Sequence, residues 1–537
     1  MKALQANPQP FKTSRRTTGI FLSVLLGGLA MASAQNTAPA ADPLLFPKDQ
    51  FKQETATLKT AAGEKKVVYR LYQHIPYVSR PVDKEYESLD VKVPVSVDGV
   101  AVKSEQAPIL FVVGVGGYMS ASNYKSGGPG GRMPTGGPGG APPAGLGGPG
   151  GPPPGAFSGP PPGAFQGAND TAGGPAEIQN LALAAGYVVV APGARGRDNK
   201  AADGSFYGKA PAAIVDLKAA VRYIRHNRGV LPGNMDWIVS SGCSAGGGLS
   251  SLLGASGNSP LYEPYLKEIG AAEEKDSIFA SGCGSPVTDL EHADLSYEWA
   301  FGASRMRSGA VDAKISAALK ERFPAYEASL QLQGRNGFGA ITAGTLDAYL
   351  VQEYFAPAAS AYLLKLSDEK RAEYLAKNPW LKWDGKTARF SYLEMAAQHI
   401  TRMKSAPAFD GLGLRSPESN EFGDKTTDSR HYTDFSLQQS TSQPDAHVDA
   451  ELQKLVNLMN PMYFTGQKNP DAAQHWWIRH GGIETDSAPT NTVNLALSLE
   501  KMGRDVNAAI YWDAGHCQDL DPQGFIAWIG KITGYKM

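Results

Sequence analysis

The sequence predicts an α/β protein: a doubly wound, mainly parallel sheet with a large, mainly helical segment inserted late in the chain. Three observations predict it. Continuously apolar runs such as Pro108-Ile-Leu-Phe-Val-Val113 read as strands buried on both faces. Between Pro175 and Ala280 such runs alternate with helical patterns, the order that builds parallel strands through crossover helices. The alternation stops near Leu290 and resumes near His475, as it does when a long segment is inserted into one sheet.

The 537 residues suit either two to four average domains or one α/β domain with an insertion. With 51 basic and 52 acidic residues, the charge balance gives no case for binding nucleic acid or a membrane surface. Lys2, Lys12, Arg15 and Arg16 precede an apolar run, Gly19 to Met31, that ends in Ala32-Ser33-Ala34. That is the pattern of a signal peptide over 1–34, cleaved after Ala34. The run is too short for a membrane span, and no cysteine follows it to carry a lipid. Ser14-Arg15-Arg16 suggests twin-arginine export, but the apolar pair expected soon afterwards is missing, so the general and twin-arginine routes both stay open. Cleavage removes four positive charges and no acid, which moves the formal charge from −1 to about −5. The mature chain is expected in the periplasm or outside the cell, where disulfides persist. Its oligomeric state is not legible.

Taken in order, 35–289 reads as the first part of the sheet domain. Short alternating runs (Lys66 to Tyr72, Leu89 to Val95) suggest an antiparallel edge. The strand ending at Val113 runs into Gly114-Val-Gly-Gly-Tyr118. Residues 126–174 are almost all Gly, Pro, Ala and Ser, with Pro152-Pro-Pro-Gly-Ala-Phe157 repeated at Pro160 to Phe165. Such a stretch buries too little apolar surface to offset its ordering entropy, and is expected to be a disordered insertion. There follow a helix from Pro175 to Ala185, a strand Tyr187 to Ala191, a helix Ala212 to Asn227, a strand Trp237 to Ser240, a helix Gly246 to Gly254 and a strand Ser277 to Ala280. In the second helix Ile214, Leu217, Val221 and Ile224 mark one buried face. Residues 290–470 form the inserted segment, with helices over Leu346 to Leu366, Ser367 to Lys377 and Ala450 to Leu458. The domain resumes over 471–537 with strands His475 to His480 and Val506 to Trp512, and a final helix that aligns Phe525, Trp528, Ile529 and Ile532.

Gly242-Cys-Ser-Ala-Gly246 stands where a buried strand turns into a helix, the setting of a nucleophile elbow. A turn that sharp needs small neighbours and leaves the Ser244 hydroxyl exposed at the helix start. In hydrolases with this elbow the chain order is Ser, Asp or Glu, His, with the histidine after the last strand. Of the nine histidines only His516 lies between a final strand and a final helix, which makes it the candidate base. His480 competes but ends a strand, where a buried, turn-supporting ring is expected. For the acid, Glu484 follows Gly481 at the expected spacing, Asp486 is the alternative, and Asp289 after the preceding strand is a third candidate. Backbone amides of Ala245 and Gly117 are the candidate oxyanion donors. Cys243 adjoins the serine and Cys517 the histidine, so contact between Ser244 and His516 would bring the two sulfurs within bonding reach. That bridge would close a 274-residue loop, for which chain entropy predicts about 5 kcal/mol. Cys283 would remain a free, buried thiol, and two unbridged thiols are the alternative.

The chain resembles the bacterial tannases (tannin acyl hydrolases), members of the α/β-hydrolase fold that cleave galloyl esters. The resemblance rests on Gly193-Ala-Arg-Gly-Arg197, Ala210 to Arg222, Ser244-Ala-Gly-Gly247, Leu252 to Pro260 and Glu263-Pro-Tyr-Leu-Lys267. It implies an α/β-hydrolase core with 290–470 as a lid. It also implies that Lys404, Glu418 and Asp486 hold the phenolic hydroxyls of a small phenolic ester, which leaves Glu484 as the acid. The bacterial relatives usually place Asp where this chain has Glu484, so the two roles could be exchanged. The cysteine pair looks instead like a feature of fungal tannases and feruloyl esterases. The activity implied is serine esterase chemistry without metal or cofactor; the alternatives are a feruloyl-type or other aromatic-ester hydrolase, or a non-catalytic binding protein on a hydrolase fold.

Overall fold

The computed structural model describes residues 42–124 and 174–537. The expected signal peptide (1–34), and the expected Gly/Pro insertion except Gly174, lie outside these residues. A ten-stranded sheet organises the fold. Its strands are β1 (Lys52–Thr60), β2 (Gly63–Pro76), β3 (Ser88–Val97), β4 (Val100–Ala101), β5 (Ile109–Val112), β6 (Val188–Pro192), β7 (Ile238–Cys243), β8 (Ala280–Gly284), β9 (His475–Gly481) and β10 (Asp505–Tyr511). Their order is β1-β2-β3-β6-β5-β7-β8-β9-β10, with β4 paired to β3. β1 to β4 pair antiparallel, β3 meets β6 antiparallel, and every pairing from β6 to β10 is parallel.

Alternation within the strands feeds two cores. Ile109, Phe111, Val188, Val190, Ile238 and Ile478 enter one, together with helices α1 (Ala212–His226) and α2 (Ala245–Ala255). Leu110, Val112, Val189, Val239 and Trp477 enter the other, against helix Pro175–Ala184 and the final helix Pro522–Thr533. The first core continues into the segment after β8 through Tyr297, Phe323, Tyr349 and Phe409, so sheet and insertion share buried side chains. That segment holds helices Leu290–Phe301 and Ala313–Ser329, a helical run from Leu346 to Lys365 with a π turn at Val351–Phe355, and helices Asp368–Lys377 and Ala450–Leu458. A short parallel pair, Arg305–Met306 with Thr401–Arg402, ties its two halves together.

Two expectations need correction. The strand expected at Ser277 to Ala280 lies at Ala280–Gly284 instead. Its Ala-Ser-Gly-Cys-Gly composition resembles a turn, but small residues are what the packing needs: a Cβ on Gly282 would stand 2.7 Å from the Phe525 ring. Helix α1, expected to bury one face, is buried nearly all round from Ala212 to Ile224. Its charged residues are neutralised in pairs, Asp216 with Arg195 at 2.7 Å, Lys218 with Asp276 at 2.8 Å, and Arg222 with both Asp276 and Glu263. A buried charge survives only when paired in this way.

Candidate active site

The candidate site forms at the carboxyl ends of the parallel strands, where open α/β sheets place their crevices. Ser244 directly follows β7, as the N-cap of α2, with φ 61° and ψ −129°, a backbone that a side-chain-bearing residue adopts only under strain. Glycines permit the turn. A Cβ on Gly242 would lie 2.3 Å from the Gly246 carbonyl, and one on Gly246 would lie 2.6 Å from the Val115 carbonyl. The second near-contact also brings the loop after β5 against the start of α2, so Gly117 and Ala245 belong to adjoining segments.

Gly117 (φ 55°) and Tyr118 (φ 58°) are the corners of a tight turn closed by Met119 N–H donating to the Gly116 carbonyl at 3.0 Å. Both corners are left-handed, a geometry free of strain only for glycine. Among the described residues neither the Gly117 nor the Ala245 amide has a hydrogen-bond acceptor. Arg197, marked in the sequence only as part of Gly193-Ala-Arg-Gly-Arg197 and given no role there, donates from Nε to the Gly117 carbonyl at 2.7 Å and from Nη1 to Asn420 Oδ1 at 3.0 Å. Gly196 in the same motif lets this segment approach closely, since a Cβ there would strike the Ser120 amide.

His516 follows β10. Its Nδ1 stands 3.3 Å from Glu484 Oε1 and 4.0 Å from Asp486 Oδ2. The Glu484 side chain is fully buried, whereas that of Asp486 is 45% exposed. Glu484 also accepts from Ser487 Oγ at 2.8 Å, from the Gly481 amide at 3.2 Å and from Ser285 Oγ. Burial alone would raise its carboxyl, but the neighbouring His480 and His516 rings and the Ser285 hydroxyl hold it well below the usual range. Burial pulls His516 down, and Glu484, with Asp486 behind it, more than compensates, so the ring titrates above the ordinary imidazole value of 6.5. His480 is buried, as expected; its Nδ1 lies 3.2 Å from Thr492 Oγ1 and 3.6 Å from Glu484, and burial lowers its pKa. Asp289 is engaged elsewhere, with His292 at 3.0 Å, Tyr326 Oη at 2.6 Å and Asn460 at 2.8 Å.

Cys243 and Cys517 form a disulfide with Cα atoms 5.8 Å apart. Cys283 is free and buried, and burial pushes its thiol up to about 12.

From the inserted segment, Lys404 Nζ donates to the Asp486 backbone carbonyl at 2.9 Å and sits over the Phe409 ring at 3.8 Å. Its backbone is held by Arg402, whose Nε donates to the Lys404 carbonyl at 3.0 Å while its guanidinium pairs with buried Glu298. Glu418 lies on the short helix Pro417–Glu421, 5% exposed, with Oε2 lacking a hydrogen-bond partner; burial raises its carboxyl despite Lys404 and Arg197 nearby. Thus Lys404 meets Asp486 through its backbone, not its carboxylate. Among the described residues no group of three or more His, Cys, Asp or Glu side chains gathers to hold a metal ion.

Sheet order, elbow and strand-end loops define the α/β-hydrolase class. A family model described as BD-FAE matches residues 163–294. Tannase from Fusobacterium nucleatum superposes with a TM-score of 0.72 at 33% identity, over 91% of this chain and 99% of that one. A tannin acyl hydrolase in complex with ethyl gallate gives 0.73 at 31% identity, with 91% and 99% covered, and the Lactobacillus plantarum tannase 0.73 at 30%, with 91% and 100% covered. Esterase LipC of Mycobacterium tuberculosis is 41% identical over 58 residues, 11% of this chain and 14% of that protein. The chain belongs to the tannase family and is a carboxylic ester hydrolase.

Proposed function

We propose that the chain is an exported serine esterase that cleaves galloyl esters, such as tannins and alkyl gallates, through an acyl-enzyme. In this reading 35–289 and 471–537 are the catalytic core and 290–470 is the lid. His516 takes the Ser244 proton, the alkoxide attacks the ester carbonyl, and the Ala245 and Gly117 amides hold the oxyanion. His516 then protonates the departing alcohol, and water activated by the same ring releases the acid. Glu484 fixes the ring tautomer by accepting from Nδ1.

The observation that carries the substrate assignment is the unpartnered, buried Oε2 of Glu418 in a lid segment near the Lys404 ammonium. A buried acceptor without a donor is costly. The hydroxyls of a polyhydroxybenzoyl ring supply donors that an unsubstituted ring cannot. Ethyl gallate and 3,4-dihydroxybenzoate are the molecules bound in two related structures, in keeping with that chemistry. Export agrees with the Cys243–Cys517 bridge.

Initial rates on methyl gallate, methyl ferulate and an aliphatic ester test the assignment, which fails if the gallate is not preferred; preference for the ferulate would make the chain a feruloyl-type esterase. Labelling with a fluorophosphonate should modify Ser244, and a chain that takes up no label would be a binding protein. Glu418→Ala should lower kcat/KM for methyl gallate about ten- to a hundredfold, the weight of a hydrogen bond to a charged group. An activated acetate ester should hardly respond. Equal losses on both would assign Glu418 to the fold.

The pH profile gives a further check. The base must be neutral to accept a proton, and Glu484 raises the His516 pKa. Therefore kcat/KM should fall on the acid side with a midpoint above 6.5, the ordinary imidazole value. A midpoint at or below it would contradict the arrangement.

A further inference from the structure

We propose that Ser285 is a positioning residue that locks the acid and the base to each other and to the nucleophile's strand. This rests on the reading of Ser244, Glu484 and His516 as the catalytic residues. Ser285 follows β8, the strand between the one that leads into the serine and the one that precedes the acid. Four contacts converge on it and its neighbour. The Gly284 carbonyl accepts from the Ser244 amide at 3.0 Å, and the Ser285 amide donates to the Arg479 carbonyl at 2.7 Å. The Ser285 hydroxyl donates to Glu484 Oε2, and it accepts from the Cys517 amide, next to His516, at 3.3 Å.

Ser285 is 3% exposed and holds φ 39°, a left-handed conformation that serine adopts at a cost. The hydroxyl uses its one proton on the acid and a lone pair on the base's segment, which is what a clamp between two loops requires. Glu484 reaches His516 with Oε1, while Oε2 is fixed by Ser285 and the Gly481 amide. A glutamate has one more rotatable bond than an aspartate, so orienting it needs this second grip. The hydroxyl also draws negative charge away from the oxygen that faces the imidazole. Without it the carboxylate is more basic and holds a proton on His516 more strongly.

The test uses Ser285→Ala and Ser285→Gly in the full-length enzyme. Both remove the hydroxyl, and glycine accepts φ 39° without strain, so a folding defect of the alanine variant leaves the question answerable. In both, kcat on methyl gallate should fall about ten- to a hundredfold with KM within about twofold, as expected for a lost charge-assisted hydrogen bond felt in the transition state. The acid limb of the pH profile should move to higher pH, a displacement that loss of packing alone would not produce. Unchanged kcat, or a lower kcat with an unmoved acid limb, overturns the proposal. Parallel fluorophosphonate labelling of the unsubstituted enzyme separates the two failures. Absence of label at Ser244 defeats the underlying reading, whereas label at Ser244 with normal Ser285 variants defeats only the clamp.

Discussion

Glu484→Gln should lower kcat about ten-thousandfold on every ester while leaving KM nearly unchanged. The magnitude is that expected when an amide replaces a triad carboxylate. Glutamine can present an N–H to His516 Nδ1, which then becomes an acceptor, and the ring's proton moves to the nitrogen that should take the serine proton. Asp486→Asn is the paired measurement. Its carboxylate is 45% exposed and 4.0 Å from the ring. On the reading favoured above it contacts substrate, so its loss should weaken turnover of methyl gallate by at most about a hundredfold and spare an activated acetate. A thousandfold or larger loss on the acetate would exchange the roles of the two acids.

Replacing both Cys243 and Cys517 by serine should destabilise the enzyme by about 2–5 kcal/mol, the range found when native disulfides are removed. The bridge closes 274 residues of chain, so the unfolded state gains much freedom when it is lost. For a chain of this size the melting temperature should drop about 2–5 °C by the usual entropy scaling. Activity should fall as well, because the bridge joins the residue before Ser244 to the residue after His516. Peptide mapping without reductant should recover the linked pair from enzyme taken outside the cytoplasm. A melting temperature indifferent to reductant and to both substitutions would show that noncovalent packing alone fixes the two segments.

Local features were read directly from the residues. Continuous apolar runs made β5, β6 and β7 visible because a strand buried on both faces leaves no polar alternation. The elbow was visible because its steric demand falls on five consecutive residues, and His516 because no other histidine separates a last strand from a last helix. The cysteine pairing followed from adjacency to those two residues, and the bridge is present. β8 was displaced because its Gly-Cys-Gly composition carries no periodic signal; only the approach of the Phe525 ring explains it.

The sequence by itself determined the fold class, the elbow that carries Ser244 and the order in which the candidate serine, acid and histidine occur. Those properties arise from neighbouring residues and from the period of one segment. Spacing favoured Glu484 over Asp486, but tertiary structure alone set their distances from His516, let Arg197 reach the Gly117 carbonyl, and put one hydroxyl of Ser285 between Glu484 and Cys517. The last two contacts join residues 199 and 232 apart, and the Arg197 contact residues 80 apart. No local pattern encodes such distances. They are set by which strands lie side by side, and side-chain reach of a few ångströms then selects the partner.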